Sequence, residues 1–290
     1  MAMLSELYES VKADGNAVFW WVGAENNWCN VYCAFENGRM VAKGQVEIMN
    51  TVPPDRPSDS KHAIYLNLKT VPERANDSLL LEAVYHHLYL RALELKRALP
   101  SEYGTNLCVG NAASETANNH FFVQKGYRHL NSLFSMKRDL NEPIADLALH
   151  ESFRFSHWMM DTPEEEREYL ELDAEIWTSA PIGIEKLARH KNQPLWKSMI
   201  VRQGETIIAG LMAWEEDGEG EIEDVFVREP WRNRGCAKYL LTQALHDLKS
   251  HGLPSANLMV LTANHAALSL YEGVGFGVVS EEIRYYIELE

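Results

Sequence analysis

The residues Arg232-Asn233-Arg234-Gly235-Cys236-Ala237 combine two guanidinium groups with small residues at the start of a helical pattern. Gly235 and Ala237 let the backbone approach a ligand closely. The first N–H groups of a helix point outwards, where the helix dipole favours an anion, and nearby arginines add charge-assisted hydrogen bonds. The loop therefore predicts a pyrophosphate site, with a basic surface turn before a helix as the alternative.

Three acidic residues, Glu221, Glu223 and Asp224, lie on the apolar strand pattern that leads into this loop. An amine with a pKa of about 10.4 must lose a proton before it attacks an acyl group, and a carboxylate can accept that proton directly or through water. Strand alternation predicts Glu221 and Glu223 on one face and Asp224 on the other, unless a bulge intervenes. We rank Glu223 first and Glu221 second as the base; the alternative is a pair of solvated strand-end carboxylates.

Four further positions could serve the same chemistry. A backbone N–H near Val225 is the natural donor to an oxyanion. Asn264 follows the next buried run as a helix cap, and Tyr271 carries a hydroxyl on a largely apolar ring; each could instead be purely structural. Cys236 stands at a helix start beside arginines, a setting expected to lower the pKa of its thiol.

The elements that position these residues follow from hydrophobic periodicity in the second half of the chain. Apolar runs flanking Gln203-Gly204-Glu205 predict a hairpin, and a third strand ends before Pro230, which cannot continue a central strand. A helical pattern begins at Gly235. Upstream, Thr162 and Pro163 precede three glutamates, which predicts a capped helix start.

The first half of the chain follows a similar order, beginning with a hairpin around Glu36-Asn37-Gly38. The segment Phe122–Tyr127 resembles Tyr271–Phe276 at an offset of 149 residues, 275 minus 126. An internal repeat of about half the chain indicates a tandem duplication, joined near Asn141-Glu142-Pro143. The predicted domains are residues 1–140 and 141–290.

In this setting, Arg-x-x-Gly-x-Ala between a strand and a helix resembles the coenzyme motif of the GNAT superfamily of N-acetyltransferases. The strand Glu223–Val227, Asn264 and the pair Leu270-Tyr271 follow in the family's order. The resemblance covers Thr206–Leu289 closely and Asp146–Arg202 loosely. It implies an α/β (α+β) fold with two GNAT folds in tandem, each a mixed, mostly antiparallel central sheet flanked by helices.

The resemblance also implies acetyl-CoA as the cosubstrate. The backbone of Val225, Phe226 and Val227 would pair with the pantetheine arm, and the amides from Arg232 to Ala237 would hold the pyrophosphate. Asn264 would bond the coenzyme near its reactive end.

The implied reaction is direct transfer of an acetyl group to a primary amine, in which a nucleophilic cysteine has no role. Tyr271 would protonate the departing thiolate. Some family members place a catalytic glutamate at the position of Glu221, and polyamine acetyltransferases resemble the chain at Glu223-Asp224. The alternative functions are a non-catalytic acyl-CoA sensor or a transferase acting on protein N-termini or lysines.

The corresponding loop of the first half, Val71–Ser78, lacks glycine and carries Glu73 and Asp77 where an anion would bind. Phe122 replaces the tyrosine, and Glu115 stands seven residues before it in place of the asparagine. Because three coenzyme features differ, we interpret this half as a degenerate GNAT-like domain that does not bind acetyl-CoA in the usual way.

The formal net charge of −15 disfavours nucleic acid and favours a cationic small-molecule acceptor, such as a polyamine, an amino sugar or an amino-acid derivative. The four cysteines match neither a zinc ribbon nor a redox pair, so no metal is expected. The apolar run Ala17–Val22 is too short to span a bilayer, and no secretory pattern precedes it. A cytoplasmic protein without a membrane partner is expected, as a monomer or a homodimer.

Overall fold

The computed structural model describes residues 2–13, 15, 17–23, 25–54, 56–178 and 181–290. Their helices and strands, in chain order, are α1 (Ala2–Ala13), β1 (Val31–Glu36), β2 (Arg39–Asn50), β3 (Lys61–Thr70), α2 (Ser78–Lys96), β4 (Gly104–Ala112), α3 (Thr116–Gln124), β5 (Arg128–Asp139), β6 (Arg154–His157), α4 (Pro163–Ile176), α5 (Gly183–Lys191), β7 (Lys197–Gln203), β8 (Thr206–Glu216), β9 (Glu219–Val227), α6 (Cys236–Ser250), β10 (Ser255–Leu261), α7 (His265–Glu272) and β11 (Gly277–Leu289). No helix of these described segments is long and apolar enough to cross a membrane.

The chain forms two compact units whose limits differ from the predicted domains 1–140 and 141–290. The first unit runs to Leu133 and also includes Ser280–Glu290, while the second is Phe134–Val279. The chain therefore leaves the first unit within β5 and returns to it within β11. The return has a clear physical reason, since β11 pairs with β4 along eight residues, from Glu282 opposite Ala112 to Leu289 opposite Thr105.

The first unit contains the strand order β1-β2-β3-β4-β11, in which β3 and β4 are parallel and the other pairs are antiparallel. The predicted first hairpin is confirmed: Asn37 and Gly38 both have positive φ, 50° and 80°, as a two-residue hairpin turn requires. Helix α2 buries one face in the core of this unit through Leu81, Val84, Leu88 and Ala92.

The second unit contains the strand order β5-β10-β9-β8-β7-β6, again mixed and mostly antiparallel. Alternate residues of β8 join two separate cores: Leu211 and Ala213 pack with α6, whereas Met212 and Trp214 pack with α4 and α5. Helices therefore cover both faces of this sheet, and β9 lies between the two layers as it approaches the Arg232 loop.

The predicted start of α4 is confirmed in detail. The Thr162 hydroxyl accepts a hydrogen bond from the backbone N–H of Glu165 at 3.2 Å, and the Glu165 carboxylate accepts one from the N–H of Thr162 at 3.1 Å. Pro163 occupies the first turn, where its missing N–H costs nothing. This reciprocal cap fixes the start of the helix that faces β9.

Candidate active site

Strands β9 and β10 are paired at only one end. The parallel register joins Ala256 to Gly220 and Asn257 to Glu221, and in the described structure it stops there although β10 continues to Leu261. The two strands therefore part after Glu221, which leaves the β10-facing edge of Val225–Val227 open. Backbone N–H and C=O groups on such an edge are available to an extended ligand.

A bulge interrupts β9 beside this opening. Glu223 lies opposite Met212 and Phe226 lies opposite Gly210, so two residues of β9 stand against one of β8. Asp224 takes the strained position, with φ of 54°. Bulges of this kind redirect side chains near functional sites.

The bulge overturns the simple alternation expected for the three carboxylates. Asp224 was expected on the face opposite Glu221 and Glu223, but its carboxylate accepts a 2.7 Å hydrogen bond from the hydroxyl of Tyr169 on α4. Tyr169 packs in the same core as Met212, the cross-strand partner of Glu223. The side chains of Asp224 and Glu223 therefore share the face covered by α4 and α5.

Helix α5 supplies two basic side chains to Glu223. The Glu223 carboxylate lies 3.5 Å from the Lys186 ammonium and 3.7 Å from Nε2 of His190. Burial, followed by the charge of Lys186, lowers the pKa of His190 to about 4, so its imidazole is neutral at pH 7. Lys186 is therefore the cation that competes with an incoming ammonium for Glu223.

The surroundings of Glu221 change its protonation. Burial raises the pKa of Glu221 to about 7, reinforced by repulsion from Glu216 and opposed by a hydrogen bond from Asn257. The Asn257 amide also donates to Glu219 at 2.8 Å. A carboxyl group with a pKa near the working pH is well matched to accepting a proton.

The predicted pyrophosphate loop connects β9 to α6 through two residues with positive φ, Asn233 at 61° and Gly235 at 81°. The loop arginines are anchored to the backbone: Arg232 Nε donates to the carbonyl of Val227 at 3.2 Å, and Arg234 Nη2 donates to that of Pro230 at 3.1 Å. Both guanidinium groups stay exposed, so the loop presents positive charge to solvent.

Helix α6 begins without a side-chain cap. Its first backbone bond runs from the N–H of Tyr239 to the carbonyl of Gly235 at 2.9 Å. The N–H groups of Cys236, Ala237 and Lys238 therefore have no acceptor within the helix. These N–H groups and the two arginines lie at the helix end where the sequence predicts a pyrophosphate site.

The expectation for the Cys236 thiol was wrong. Its side chain is 1% exposed and packs in the core beneath α6. Burial is the largest influence and raises the pKa of the thiol, although the charge of Arg234 opposes it. The raised pKa could not be predicted from the neighbouring arginines in the sequence, because the burial of the thiol comes from tertiary packing.

Asn264 and Tyr271 lie at the two ends of α7. The Asn264 side chain accepts a hydrogen bond from the N–H of Ala267 at 3.2 Å and is exposed, so the predicted cap is present. Tyr271 is buried, with its ring centroid 6.2 Å from that of Phe276. Burial raises the pKa of Tyr271 to about 12, which keeps its hydroxyl protonated at neutral pH.

Tyr169, Lys186 and His190 were not singled out in the sequence, although all three face the carboxylates of β9. The four-residue spacing of Lys186 and His190 places them on one face of a helix, and this was the available signal. Helix α5 has only nine residues, too few for its periodicity to stand out.

The first unit uses the corresponding acidic residues differently. Glu73 forms a 2.6 Å ion pair with Arg39, and Asp77 accepts the N–H of Leu80 at 3.0 Å as the cap of α2. Phe122 is fully buried in the core. The parallel pairing of β3 with β4 extends over six residues of β3, from Lys61 to Leu66, so these strands part much later than β9 and β10.

The second half of the chain has recognisable relatives. Residues 149–276 match the acetyltransferase (GNAT) family. A mycothiol acetyltransferase of Streptomyces avermitilis is 37% identical over 73 residues, covering 25% of this chain and 24% of that protein. One from Thermobifida fusca is 28% identical over 140 residues, or 42% and 43% of the two chains. The similarity thus spans less than half of these relatives' length.

Solved structures extend the likeness in fold to nearly the whole chain. A GCN5-related N-acetyltransferase from Sphaerobacter thermophilus has a TM-score of 0.72 at 21% identity, covering 87% of this chain and 78% of that one. A tandem GNAT protein from the clavulanic acid biosynthesis pathway has a TM-score of 0.70 at 13% identity, covering 99% and 94%. The predicted fold class, a tandem of mixed α/β GNAT folds, is confirmed.

Proposed function

Residues 149–276 belong to the GNAT acetyltransferase family, and from this premise we propose that the chain is an acetyl-CoA-dependent N-acetyltransferase with one catalytic centre, in its second unit. One observation carries the proposal: β9 and β10 part after Glu221 beside the uncapped N-terminus of α6. An open strand edge and a helix end suit an extended molecule that carries a pyrophosphate.

The residues of this opening fit acetyl-CoA, which would supply the acetyl group when bound. The edge of Val225–Val227 would hold the pantetheine arm, and the free amides of α6 with Arg232 and Arg234 would hold the pyrophosphate. The space beside Gly235 is open to a ligand, because no protein atom stands within 4 Å of the position that a Cβ would take. Asn264 would donate its amide to the coenzyme while its oxygen continues to cap α7.

The three carboxylates on the other side of β9 define the proposed amine site. Glu223 and Asp224 would attract an ammonium group, in keeping with the acidity of the chain. Glu221 would then accept the amine proton, since its pKa of about 7 suits a base and Glu223 already faces Lys186. This assignment reverses the order in which the sequence ranked the two glutamates.

Two further groups complete the proposed reaction. A backbone N–H at the bulge, near Val225, would stabilise the negative charge that develops on the acetyl oxygen. Tyr271, protonated at neutral pH, would donate its proton to the sulfur as the thiolate departs. The second unit thus contains an acceptor for the proton of the amine and a donor for the proton that the thiolate takes up.

A cationic small molecule is the acceptor class we propose. The acidic face near α4 and α5 favours a cation, and the curated relatives carry a name that specifies a small molecule, mycothiol, and not a protein. A polyamine, an amino sugar and an amino-acid derivative are therefore the first compounds to assay.

Calorimetric titration of acetyl-CoA into the full chain tests the proposal, with Gly235→Glu as the variant that places a carboxylate in the pyrophosphate loop. We expect one site per chain, lost in the variant, and release of free thiol when a suitable amine is present. Absence of acetyl-CoA binding contradicts the proposal. Binding without turnover on any amine of the panel would instead indicate an acyl-CoA sensor.

A further inference from the structure

The first unit contains a cavity of about 280 Å³ where the ends of β3 and β4 meet the start of α3. Its polar lining residues are Lys69, Thr70, Asn76, Ser114, Glu115, Thr116 and Asn118. We call it the Lys69 cavity. It lies outside the proposed acetyl-transfer site, and its interpretation does not depend on that proposal.

The ammonium group of Lys69 is the unusual feature of this cavity. Lys69 is 1% exposed, and its Nζ donates to Oδ1 of Asn111 at 3.0 Å and to the carboxylate of Glu115. Burial lowers the pKa of Lys69, and the ion pair with Glu115 opposes that shift. In the charged form Lys69 carries three protons, so one remains for a further acceptor. A buried donor without an acceptor is costly, which favours a ligand that brings an acceptor into the cavity.

A second buried lysine lies beside Lys69 in the first unit. Lys43 lies directly opposite Lys69 on β2 and is fully buried, but its ammonium donates only to neutral oxygens, those of Trp20 and Gln45. Burial lowers the pKa of Lys43 to about 8, so it stays mostly charged at pH 7. Glu115 is the acidic partner of Lys69, whereas the described acceptors of Lys43 are neutral.

Arg284 and Glu282, which also lie near Lys69, pair with each other. Their side chains bond to each other at 2.6 Å and contribute no net charge. A buried charge without a counter-charge is strongly unfavourable. A negatively charged ligand in the Lys69 cavity would therefore favour the charged form of Lys69.

The start of α3 adds donors to the same wall. Its first backbone bond runs from the N–H of Asn119 to the carbonyl of Glu115 at 3.0 Å. The N–H groups of Ala117 and Asn118 are thus without acceptors in the helix, and both residues line the cavity. Two adjacent N–H groups and an ammonium suit the two oxygens of a carboxylate.

We propose that the Lys69 cavity is a binding site for a small carboxylate, held by the free proton of Lys69 and the first N–H groups of α3. The cavity has room for a short dicarboxylate or an amino acid.

Ligand-observed NMR with the full chain tests the proposal, using acetate, succinate and glutamate as probes and succinamide as the uncharged counterpart of succinate. Ala75→Leu fills the cavity without altering charge, because Ala75 lines it in a helical conformation, φ −59° and ψ −30°. Ala98→Leu, at an exposed position beyond α2, is the matched control. The double variant Lys69→Met/Glu115→Gln removes both charges of the buried pair together.

We expect at least one carboxylate to bind to the parent and to Ala98→Leu, with affinity about tenfold or more weaker in Ala75→Leu and in the double variant. The proposal is overturned if no probe binds up to about 10 mM, a range that detects millimolar affinity. Equal binding of succinamide, or unchanged binding in Ala75→Leu, overturns it as well. So does a second equivalent of acetyl-CoA that Ala75→Leu abolishes, since the cavity would then belong to the coenzyme.

Discussion

The hydroxyl of Tyr169 donates a 2.7 Å hydrogen bond to the carboxylate of Asp224, the residue at which β9 bulges. The bond ties α4 to the only residue of β9 with positive φ. Burial raises the pKa of Asp224, and this hydrogen bond acts in the opposite direction. Tyr169 therefore stabilises both the charge of Asp224 and the backbone shape of the proposed amine site.

We predict that Tyr169→Phe reduces kcat/KM for the amine by about ten- to a hundredfold, the range expected when a reacting group is misplaced by about 1 Å. The free energy of unfolding should fall by about 1–3 kcal/mol, because a buried carboxylate loses its donor. Steady-state kinetics and urea unfolding measure the two effects, and calorimetry should show unchanged acetyl-CoA affinity.

Tyr239→Phe is the matched control, since Tyr239 packs with the core on the α6 side of the sheet. It should leave kcat/KM for the amine near the parent value. Equal losses in the two variants would assign the effect of Tyr169→Phe to general destabilisation rather than to Asp224.

The pKa of Glu221 predicts a pH dependence of the reaction. Below about pH 7 the carboxyl group is protonated and accepts no proton, so kcat/KM should rise as the pH passes through about 7. Ionisation of the free amine adds a separate limb at higher pH. Glu221→Gln should remove the limb near pH 7 and lower kcat by about 100-fold or more.

Glu223→Gln distinguishes the two glutamates. If Glu223 attracts the ammonium group, this variant raises KM for the amine and keeps the limb near pH 7. The reverse pattern, with the limb retained in Glu221→Gln and lost in Glu223→Gln, would make Glu223 the base and contradict our assignment.

Two glycines separate backbone strain from coenzyme binding. Gly235 and Gly218 both have φ of 81°, and neither has an atom within 4 Å of its Cβ position. Alanine at either position should destabilise the second unit by about 1–2 kcal/mol, because L-residues disfavour this conformation. Only Gly235→Ala should also weaken acetyl-CoA binding, as measured by calorimetry. An equal loss of acetyl-CoA affinity in Gly218→Ala would show that backbone strain, and not a contact between the Arg232 loop and the coenzyme, causes the loss.

Tyr271→Phe tests the proton donor. We expect kcat to fall by about 100-fold, within the range for a general acid, while acetyl-CoA affinity is retained because only a hydroxyl is removed. Stopped-flow thiol release and calorimetry provide the two measurements. Full activity in this variant would show that the thiolate obtains its proton elsewhere.

Features determined by short-range rules were predictable from the sequence. The Asn37-Gly38 turn, the Thr162 cap and the Asn264 cap all depend on residues within four positions of each other, and the structure confirms them. The fold class followed from the resemblance to the GNAT superfamily, for which the Arg232 loop between a strand and a helix was the most specific signal.

Features that depend on distant packing were not predictable in the same way. The direction of Asp224 depends on a bulge and on Tyr169, 55 residues earlier. The thiol of Cys236 responds to the core around it rather than to adjacent arginines. The buried pair of Lys69 and Glu115 joins residues 46 positions apart, and neither residue type suggests burial by itself.

The pairing of β4 with β11 has a consequence for synthesis on the ribosome. Thr105 pairs with Leu289, 184 residues later (289 minus 105), so the first unit to be translated acquires its last strand after the second unit has emerged. Until then, the nascent chain presents an incomplete sheet edge at β4, and unpaired edges promote association with other chains. Early termination near residue 280 should therefore yield a chain that aggregates through its N-terminal unit, although the residues of the proposed acetyl-transfer site have all been made.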